Sequence, residues 1–321
     1  MTALVAIDVG GTHARFAVAA LRPGAPPTLG TTVKLKAADF PTLGAAYHAF
    51  AAQAGGKLPP RAALAVACPV DGDLLKLTNS PWVLRTSALP AELGLERLLV
   101  LNDFGAVTHA IPRLEPDALL HLCGPDSPLP GNGPIAVVGP GTGLGVGLLL
   151  RRDGHTHVVE TEGGHMDFAP VDAIEDALLV RLRQHYGRVS VERIVSGPGL
   201  AHIYEALAAH EGRPVKLSGD AELWAAASEG SDDLAARALE RWCLALGCVA
   251  GNLALAHGAK AVVLAGGLPP RILPQLLSGG FEQRFRAKGR FEAMMGSIPV
   301  RVCIHPEPGL LGAAAAFEAE A

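Results

Sequence analysis

The sequence predicts an α/β protein made of two domains that together clamp one ligand. Apolar, strand-like runs alternate with helical patterns along much of the chain, which is typical of α/β architecture. Two widely separated stretches share one layout, in which an apolar strand leads through a glycine-threonine turn into a second apolar strand. A length of 321 residues, 49% of them hydrophobic, is sufficient for one large or two ordinary cores.

The strands are predicted from short apolar runs bounded by glycine, proline, asparagine or aspartate. They cover residues 4–8, 14–20, 62–67, 98–102, 135–138, 145–150, 261–265 and 300–304. A stretch rich in proline and glycine, residues 124–134, precedes the second glycine-threonine turn. Such a composition favours a surface loop, and its position predicts that this loop lies near a domain junction.

Helices are predicted where apolar residues recur every three or four positions. One helix is expected to begin after Asp172 as N-cap, with Glu175 three residues later, and to end before Gly187. Its apolar stripe consists of Ile174, Leu178, Leu182 and Tyr186. A second stripe contains Leu239, Trp242, Leu246, Val249 and Leu253, with Gly247 and Gly251 beside it. In a soluble chain, that glycine spacing more often serves close packing than function.

An alanine-rich segment after Pro308 predicts a last helix that packs back on the first domain. The longest apolar stretches contain glycines, charges or histidine, so no membrane span is expected.

Charge and cysteine usage exclude several classes of function. Lys and Arg number 27 against 31 Asp and Glu, a formal net charge of -4, so no basic field would attract nucleic acid or an anionic membrane. The five scattered cysteines favour buried free thiols over a disulfide or zinc site. No secretory signal follows Met1, which predicts a cytoplasmic protein acting on a small ligand.

The repeated glycine-threonine turns are candidate phosphate-binding loops. The first is Asp8-Val9-Gly10-Gly11-Thr12, and the second is Gly139-Pro140-Gly141-Thr142-Gly143. Small residues allow backbone N–H groups and a threonine hydroxyl to approach an anion closely. Either loop alone is compatible with an ordinary hairpin, but their repetition about 130 residues apart favours phosphate binding.

Polar residues near other turns suggest a second, polyhydroxyl ligand. Asn102 and Asp103 follow a predicted strand, where they serve either a ligand or a helix cap. Glu162, His165 and Glu192 add carboxylate and imidazole groups, which suit sugar hydroxyls because each hydroxyl both donates and accepts. Gly266 and Gly267 follow the strand at 261–265 and form either a simple turn or a surface for a flat ligand such as adenine.

Taken in order, these motifs resemble those of bacterial glucokinases, which belong to the sugar kinase/actin/Hsp70 ATPase superfamily. The resemblance also includes Ser196-Gly197-Pro198-Gly199-Leu200 and Gly309-Leu310-Leu311-Gly312, and so covers nearly the whole chain. It implies an actin-like ATPase fold, with two ribonuclease-H-like α/β domains and a ligand cleft between them. It implies a small domain of residues 1–112 completed by residues 307–321, and a large domain of residues 113–306.

The resemblance also implies ATP-dependent phosphorylation of D-glucose at its 6-hydroxyl, the first step of glycolysis. Asp103 would be the general base, while Asn102, Asp103, Gly141, Glu162, His165 and Glu192 would bind glucose. The ATP-binding residues would be Asp8, Val9, Gly10, Gly11, Thr12, Gly141, Thr142, Gly266 and Gly267. Asp8 would face Mg²⁺ through water, and residues 78–82 would lie at the mouth of the sugar cleft. The family suggests a homodimer.

The chain departs from the family pattern at His13, where Asn is common, and at Pro140, where Ala is common. These two differences bear on nucleotide affinity, whereas the Gly-Thr elements are intact. No cysteine follows His165 until Cys243, which separates the chain from the zinc-binding ROK family and favours the non-ROK bacterial glucokinases. One alternative is a kinase for another hexose or an amino sugar. Another is a non-catalytic sugar-sensing regulator, but such proteins carry a DNA-binding segment before the first loop, where this chain has seven residues.

Overall fold

The computed structural model describes residues 2–22, 24–77, 80 and 82–320. The chain divides into two compact units. Unit 1 comprises residues 1–115 and 305–321, and unit 2 comprises residues 116–304. The C-terminal segment is therefore grouped with the N-terminal part of the chain.

The strands and helices follow one another along the chain in an α/β pattern. The strands are β1 (Thr2–Val9), β2 (His13–Leu21), β3 (Thr28–Leu29), β4 (Val33–Lys36), β5 (Arg61–Val66), β6 (Leu74–Lys76), β7 (Val83–Arg85), β8 (Arg97–Asn102), β9 (Leu119–Cys123), β10 (Gly133–Pro140), β11 (Leu144–Arg152), β12 (His155–Thr161), β13 (Ala261–Leu264) and β14 (Val300–Cys303). The helices are α1 (Leu43–Gln53), α2 (Leu89–Glu92), α3 (Asp103–Ala110), α4 (Ala173–Tyr186), α5 (Gly199–His210), α6 (Asp220–Glu229), α7 (Asp233–His257), α8 (Leu273–Ser278), α9 (Phe281–Arg286), α10 (Glu292–Gly296) and α11 (Pro308–Ala319).

The main sheets of the two units have the same strand order. Unit 1 has the order β3-β2-β1-β5-β8, with β4 also paired to β2, and unit 2 has β12-β11-β10-β13-β14, followed by β9. In each, a central strand pairs antiparallel with the strand after it and parallel with a later strand. The repeated sequence layout therefore corresponds to a repeated structural unit, and the predicted α/β fold is confirmed.

The central strand of unit 1 is buried on both faces, because helices cover both sides of the sheet. Val5 and Ile7 pack in one cluster with residues of α1. Leu4 and Ala6 point to the opposite face, where they pack with residues of α11. Alternate side chains of a strand point to opposite faces, so this continuous apolar run is what a two-sided core requires. A Cβ at Gly312 would overlap the carbonyl of Ala106, which explains the glycine where α11 crosses α3.

The core of unit 2 is organised by the 25-residue helix α7. Its predicted stripe is confirmed as buried, and the Trp242 indole donates to the Ser196 carbonyl at 3.0 Å. A Cβ at Gly247 would overlap the Phe281 backbone, so this glycine serves helix packing. By length and hydropathy alone, α7 is long and apolar enough to cross a membrane. Because 67% of its most apolar 18-residue stretch is buried, α7 resembles the core helix of a globular unit.

In α4 the predicted cap is confirmed, but the buried apolar stripe is shorter than predicted. Asp172 accepts hydrogen bonds from the N–H groups of Ile174 and Glu175, and Gly187 ends the helix with a positive φ of 65°. Tyr186 is 38% exposed rather than buried. The Arg193 guanidinium lies 4.1 Å from its ring centroid, so this ring serves a surface contact.

Several predicted strand ends, and the predicted location of one loop, were wrong. Residues 67, 265 and 304 lie beyond the ends of their strands, whereas Gly139 and Pro140 belong to β10 rather than to the turn. The proline- and glycine-rich stretch connects β9 to β10 inside unit 2, so it does not lie at the division between the units. Strands β3, β4, β6, β7, β9 and β12 were not predicted. The five cysteines are free, and four of them are buried, as expected.

Candidate functional site

In unit 1, the strand register brings the first glycine loop and the Asn102-Asp103 pair to one edge of the sheet. Val9 pairs with Val66, and Val66 pairs with Asn102 across the parallel strands β1, β5 and β8. Two strand spacings amount to roughly 10 Å. The loop after β1 and the start of α3 therefore lie within the length of a small ligand.

The first loop is a compact turn with an exposed threonine. Gly10 N–H donates to the His13 carbonyl at 3.0 Å, and Ala37 N–H donates to the Thr12 carbonyl at 3.0 Å. A Cβ at Gly10 would touch only that His13 oxygen, at 3.8 Å. The loop is thus held from behind by backbone contacts, and Thr12 is open to solvent.

Asp8 is half-buried beneath this loop and is paired with an arginine. Arg15 Nη1 lies 3.0 Å from Asp8 Oδ2, and Arg15 Nε lies 3.4 Å from Glu307 Oε2. Burial raises the pKa of the Asp8 carboxyl above its ordinary value, and the charge of and hydrogen bond from Arg15 oppose that rise. The sequence analysis missed Arg15 and Glu307. The β1-β2 hairpin register, which pairs Asp8 with Arg15, would have indicated the first of them.

Asn102 is the N-cap of α3, so the capping interpretation is confirmed for this residue. Its Oδ1 accepts from the N–H groups of Phe104 at 2.9 Å and Gly105 at 3.0 Å, and its Nδ2 donates to the Cys68 carbonyl at 3.3 Å. Asp103 is the first residue of the helix, where its Oδ1 also accepts from Phe104 N–H at 2.8 Å. The helix start thereby holds a half-buried carboxylate at the sheet edge.

In unit 2, the second glycine loop joins the corresponding pair of antiparallel strands, β10 and β11. Gly141 N–H donates to the Gly143 carbonyl at 2.8 Å, and Gly197 N–H donates to the Gly141 carbonyl at 2.7 Å. Thr142 is exposed, and no atom lies within 4 Å of a Cβ placed on Gly141. The loop therefore has room for an anion at Gly141 and support from the segment at Gly197.

Glu192 supports this loop from the side. Its Oε2 accepts a hydrogen bond from Leu144 N–H at 2.9 Å. A Cβ at Gly143 would lie 2.5 Å from the same oxygen, so only glycine leaves room for the carboxylate there. Glu192 thus binds the loop backbone in this structure, a contact that sequence reasoning did not anticipate.

Glu162 and His165 flank a 3-10 turn that follows β12. A Cβ at Gly164 would overlap the Leu144 carbonyl, which locates this turn beside the start of β11 and hence beside the second loop. The two side chains are 61% and 57% exposed, with His165 Nε2 3.9 Å from Glu162 Oε2. Arg188 holds the turn, since it donates to the His165 carbonyl and pairs with Asp167 at 2.6 Å. The carboxylate and imidazole are therefore available to a polar ligand.

Gly266 and Gly267 complete the edge of unit 2, next to the end of β10. Gly266 has a positive φ of 85°, and a Cβ on it would lie 2.9 Å from the Pro140 carbonyl, so its glycine is explained by the turn. Gly267 has no atom within 4 Å of an added Cβ. Of this pair, Gly267 is the glycine that leaves room for a ligand.

The structure thus brings the predicted residues together in two sets, one in each unit. Asp8, Val9, Gly10, Gly11, Thr12, Asn102 and Asp103 share one sheet edge in unit 1, whereas Gly141, Thr142, Glu162, His165, Glu192, Gly266 and Gly267 lie around one edge in unit 2. Of the predicted cleft-mouth segment, Thr78, Asn79 and Pro81 lie outside the described residues. The Trp82 indole donates to the Phe40 carbonyl at 2.9 Å.

The side chains near Asp8 fit a magnesium ion that takes most of its ligands from water and phosphate. They fit a metal held entirely by protein side chains less well. Among the described residues, no group of three or more His, Cys, Asp or Glu side chains has the arrangement to hold a metal ion. Mg²⁺ in phosphoryl-transfer sites typically uses one or two carboxylates, with waters and substrate phosphates as its other ligands. The half-buried Asp8 carboxylate, with Glu307 on the other side of Arg15, fits that requirement.

Comparison with known proteins identifies the relatives of this chain. The sequence profile of the family described as Glucokinase matches residues 4–320. Over 314 residues, the chain is 53% identical to the glucokinase of Zymomonas mobilis, covering 98% of this chain and 97% of that protein. The crystal structure of a glucokinase from an Antarctic psychrotroph matches with a TM-score of 0.87 at 34% identity, over 99% of each chain.

A more distant structure shares the fold. The ROK family glucokinase of Streptomyces griseus, crystallised with glucose and AMPPNP, has a TM-score of 0.63 at 18% identity, over 97% of this chain and 98% of that one. The fold is therefore the actin-like ATPase fold with its two ribonuclease-H-like halves. The family profile and the high identity both extend over nearly the whole length, and the motifs that carried the resemblance lie within the matched range. This chain belongs to the glucokinase family.

Proposed function

We propose that the protein transfers the γ-phosphoryl group of ATP to the 6-hydroxyl of D-glucose, giving glucose 6-phosphate and ADP at the first step of glycolysis. The observation that carries this proposal is the pair of equivalent glycine-threonine loops, one at the same edge of each repeated sheet, in a chain 53% identical to a glucokinase over nearly its whole length. Phosphoryl transfer depends mainly on positioning and charge neutralisation, which two such loops provide.

In the proposed nucleotide site, Val9, Gly10, Gly11 and Thr12 offer one set of backbone and hydroxyl donors to the phosphates, and Gly141 with Thr142 offers the other. Thr12 and Thr142 are exposed, and Gly141 leaves open space for a phosphate oxygen. Gly266 and Gly267 would lie near the adenosine. The Streptomyces griseus relative was crystallised with AMPPNP, an ATP analogue, which supports ATP as the donor.

Asp8 would hold Mg²⁺ through water. The charge of the ion would neutralise the phosphate oxygens and stabilise the ionised form of a carboxylate whose pKa is raised by burial. The chain's own contribution is to hold Asp8 in place through Arg15, which also contacts Glu307.

The sugar site is proposed from the family resemblance. Asn102, Gly141, Glu162, His165 and Glu192 would bind glucose hydroxyls, and Asp103 would accept the proton of the 6-hydroxyl as that oxygen attacks the γ-phosphorus. Asn102 supports this role indirectly, because its cap contacts fix the helix start that carries Asp103. Glu192 also accepts a hydrogen bond from Leu144 N–H, and so holds the base of the second loop.

A coupled assay for glucose 6-phosphate tests the proposal directly. We expect product with glucose and ATP, and less or none with ADP or polyphosphate as donor. A panel of mannose, fructose and amino sugars tests the alternative of another sugar kinase. Absence of glucose 6-phosphate with ATP and Mg²⁺, from a folded protein, would refute the proposed activity.

We also propose that the enzyme is a cytoplasmic homodimer that acts on small molecules. Its five free cysteines are consistent with a reducing compartment. The formal net charge of -4 does not favour nucleic acid or an anionic membrane as a partner.

Glu162→Gln is expected to weaken glucose binding roughly 5- to 150-fold, because a charge-assisted hydrogen bond contributes about 1–3 kcal/mol. Calorimetric titration with glucose and with a non-hydrolysable ATP analogue measures both affinities, and only the first should change. Glu229→Gln, at an exposed carboxylate at the end of α6, is the matched control. Unchanged glucose affinity in the Glu162 variant would remove this residue from the sugar site.

Gly141→Val is expected to raise the apparent KM for ATP about tenfold or more, because the added side chain occupies the space proposed for a phosphate oxygen. The empty surroundings of Gly141 mean that the fold itself should accept the change. Gly131→Val is the control, since its surroundings are equally empty. Steady-state kinetics with ATP and glucose varied separately would contradict the assignment if only the glucose KM rose.

A further inference from the structure

The two turns proposed to carry sugar-binding residues in unit 2 are joined by a backbone hydrogen bond. Val191 N–H donates to the Met166 carbonyl at 2.8 Å. His165 directly precedes Met166, and Glu192 directly follows Val191. The position of one turn therefore depends on the position of the other, and whatever holds the Glu192 turn also supports the His165 turn.

The turn that carries Glu192 depends on its surroundings for its position. It is a 3-10 turn of three residues, Val191–Arg193, and a turn of this length closes few hydrogen bonds of its own. A Cβ at Gly199 would overlap the Ile194 carbonyl, so the start of α5 lies directly against the end of this turn. Helix α5 is therefore well placed to hold the turn.

His202 is the side chain of α5 that fixes the end of this turn. Its Nδ1 lies 2.7 Å from the Arg193 carbonyl oxygen, and its Nε2 lies 3.2 Å from the Tyr186 hydroxyl oxygen. Because a carbonyl can only accept, Nδ1 carries the hydrogen, and in the neutral ring Nε2 accepts from the tyrosine hydroxyl. The imidazole is thereby oriented through both of its nitrogens.

Arg193 connects the same residues through its side chain. Its guanidinium lies 4.1 Å from the centroid of the Tyr186 ring, and that ring meets the His202 imidazole edge-on, with centroids 5.7 Å apart. His202 thus holds the Arg193 backbone, Tyr186 holds His202, and the Arg193 side chain covers Tyr186. A closed set of contacts of this kind restrains the turn more than any one of them alone.

We propose that His202 is a positioning residue for glucose binding, which acts by holding the turn that carries Glu192. Glu192 Oε2 accepts from Leu144 N–H at 2.9 Å, so its carboxylate can serve both the second loop and the sugar only while the turn stays in place. The hydrogen bond from His202 Nδ1 to the last carbonyl of the turn supplies that restraint. This role of His202 rests on the proposed role of Glu192 in the sugar site.

His202→Ala is expected to raise the KM for glucose about 3- to 10-fold and to leave kcat within about twofold of the wild-type value, because one restraining hydrogen bond is lost. Damage to the fold would instead lower the fraction of active enzyme, which reduces kcat and leaves KM unchanged. His210→Ala, at an exposed histidine of the same helix, is the matched control and should keep wild-type kinetics.

His202→Asn is the rescue variant. The asparagine amide nitrogen is as many bonds from Cα as Nδ1 is, so it can donate to the Arg193 carbonyl, although asparagine has no counterpart of Nε2. We expect it to bring the glucose KM back to within about twofold of the wild-type value. A His202→Asn variant as impaired as His202→Ala, or a His202→Ala variant with the wild-type glucose KM, would overturn the proposal.

Hydrogen exchange at Leu144 separates the role of His202 from the proposed activity, because this amide reports the Glu192 contact without any substrate. The Leu144 amide should exchange at least about threefold faster in His202→Ala and at the wild-type rate in His202→Asn. Val137, buried in β10, is the internal reference and should not change. Absence of glucose 6-phosphate from the wild type would refute the proposed function alone, whereas an unchanged Leu144 rate in His202→Ala would refute the role of His202.

Discussion

Asp103→Asn is expected to lower kcat at least ~10²-fold while glucose still binds, because a general base typically contributes about 10²–10⁴-fold. The change preserves shape and an oxygen acceptor, so the hydrogen bond from Phe104 N–H to Oδ1 can remain. What it removes is the ability to accept the proton of the attacking 6-hydroxyl. Single-turnover and steady-state rates, measured beside calorimetric glucose binding, separate chemistry from binding.

The structure makes this test sharper than the sequence did. Asn102, not Asp103, caps α3 by accepting from two backbone N–H groups, so loss of the Asp103 charge should not unfold the helix start. Asn102→Ala is the informative comparison, because loss of a cap costs about 0.5–2 kcal/mol of stability. An Asp103→Asn enzyme that kept more than about a tenth of wild-type kcat would exclude Asp103 as the base.

Asp8→Asn is expected to lower kcat/KM for MgATP by about 10² or more, because the carboxylate proposed to face Mg²⁺ loses its charge. The same variant should be more stable than the wild type at neutral pH. Burial raises the pKa of Asp8 in the folded state, so its contribution to stability is full below its unfolded pKa and is lost as pH rises through the folded value. The Tm difference should therefore grow as pH rises from about 4.

Thermal unfolding between pH 4 and 8, together with Mg²⁺-dependent kinetics, measures both effects. Glu307→Gln is the matched comparison, because Glu307 contacts the same Arg15 and burial likewise raises its pKa. It should share the direction of the stability change but lose less activity. Should Asp8→Asn retain normal MgATP kinetics, or lose stability at neutral pH, the proposed role of a buried, metal-facing carboxylate would be wrong.

The duplicated architecture was predictable because its signal is local. Apolar runs, glycine-threonine turns and the Asp172 cap depend on residues close together in the chain, and the structure has strands and a helix start at these places. Strand β12 was missed because exposed residues on both faces remove the alternation that marks a half-buried strand. The burial of Tyr186 was predicted wrongly for a related reason, since the exposure of this side chain depends on what packs beside it.

By itself, the sequence determined the repeated strand, turn, strand unit, the family, and the positions of the glycine loops and polar pairs. The tertiary structure alone decided how these residues are used. It shows that Asn102 donates to the Cys68 carbonyl, that Arg15 links Asp8 to Glu307, and that Glu192 holds the second loop. Those contacts join residues that are distant in the chain or meet only through strand register, and contacts of that kind depend on how the chain folds rather than on any local pattern.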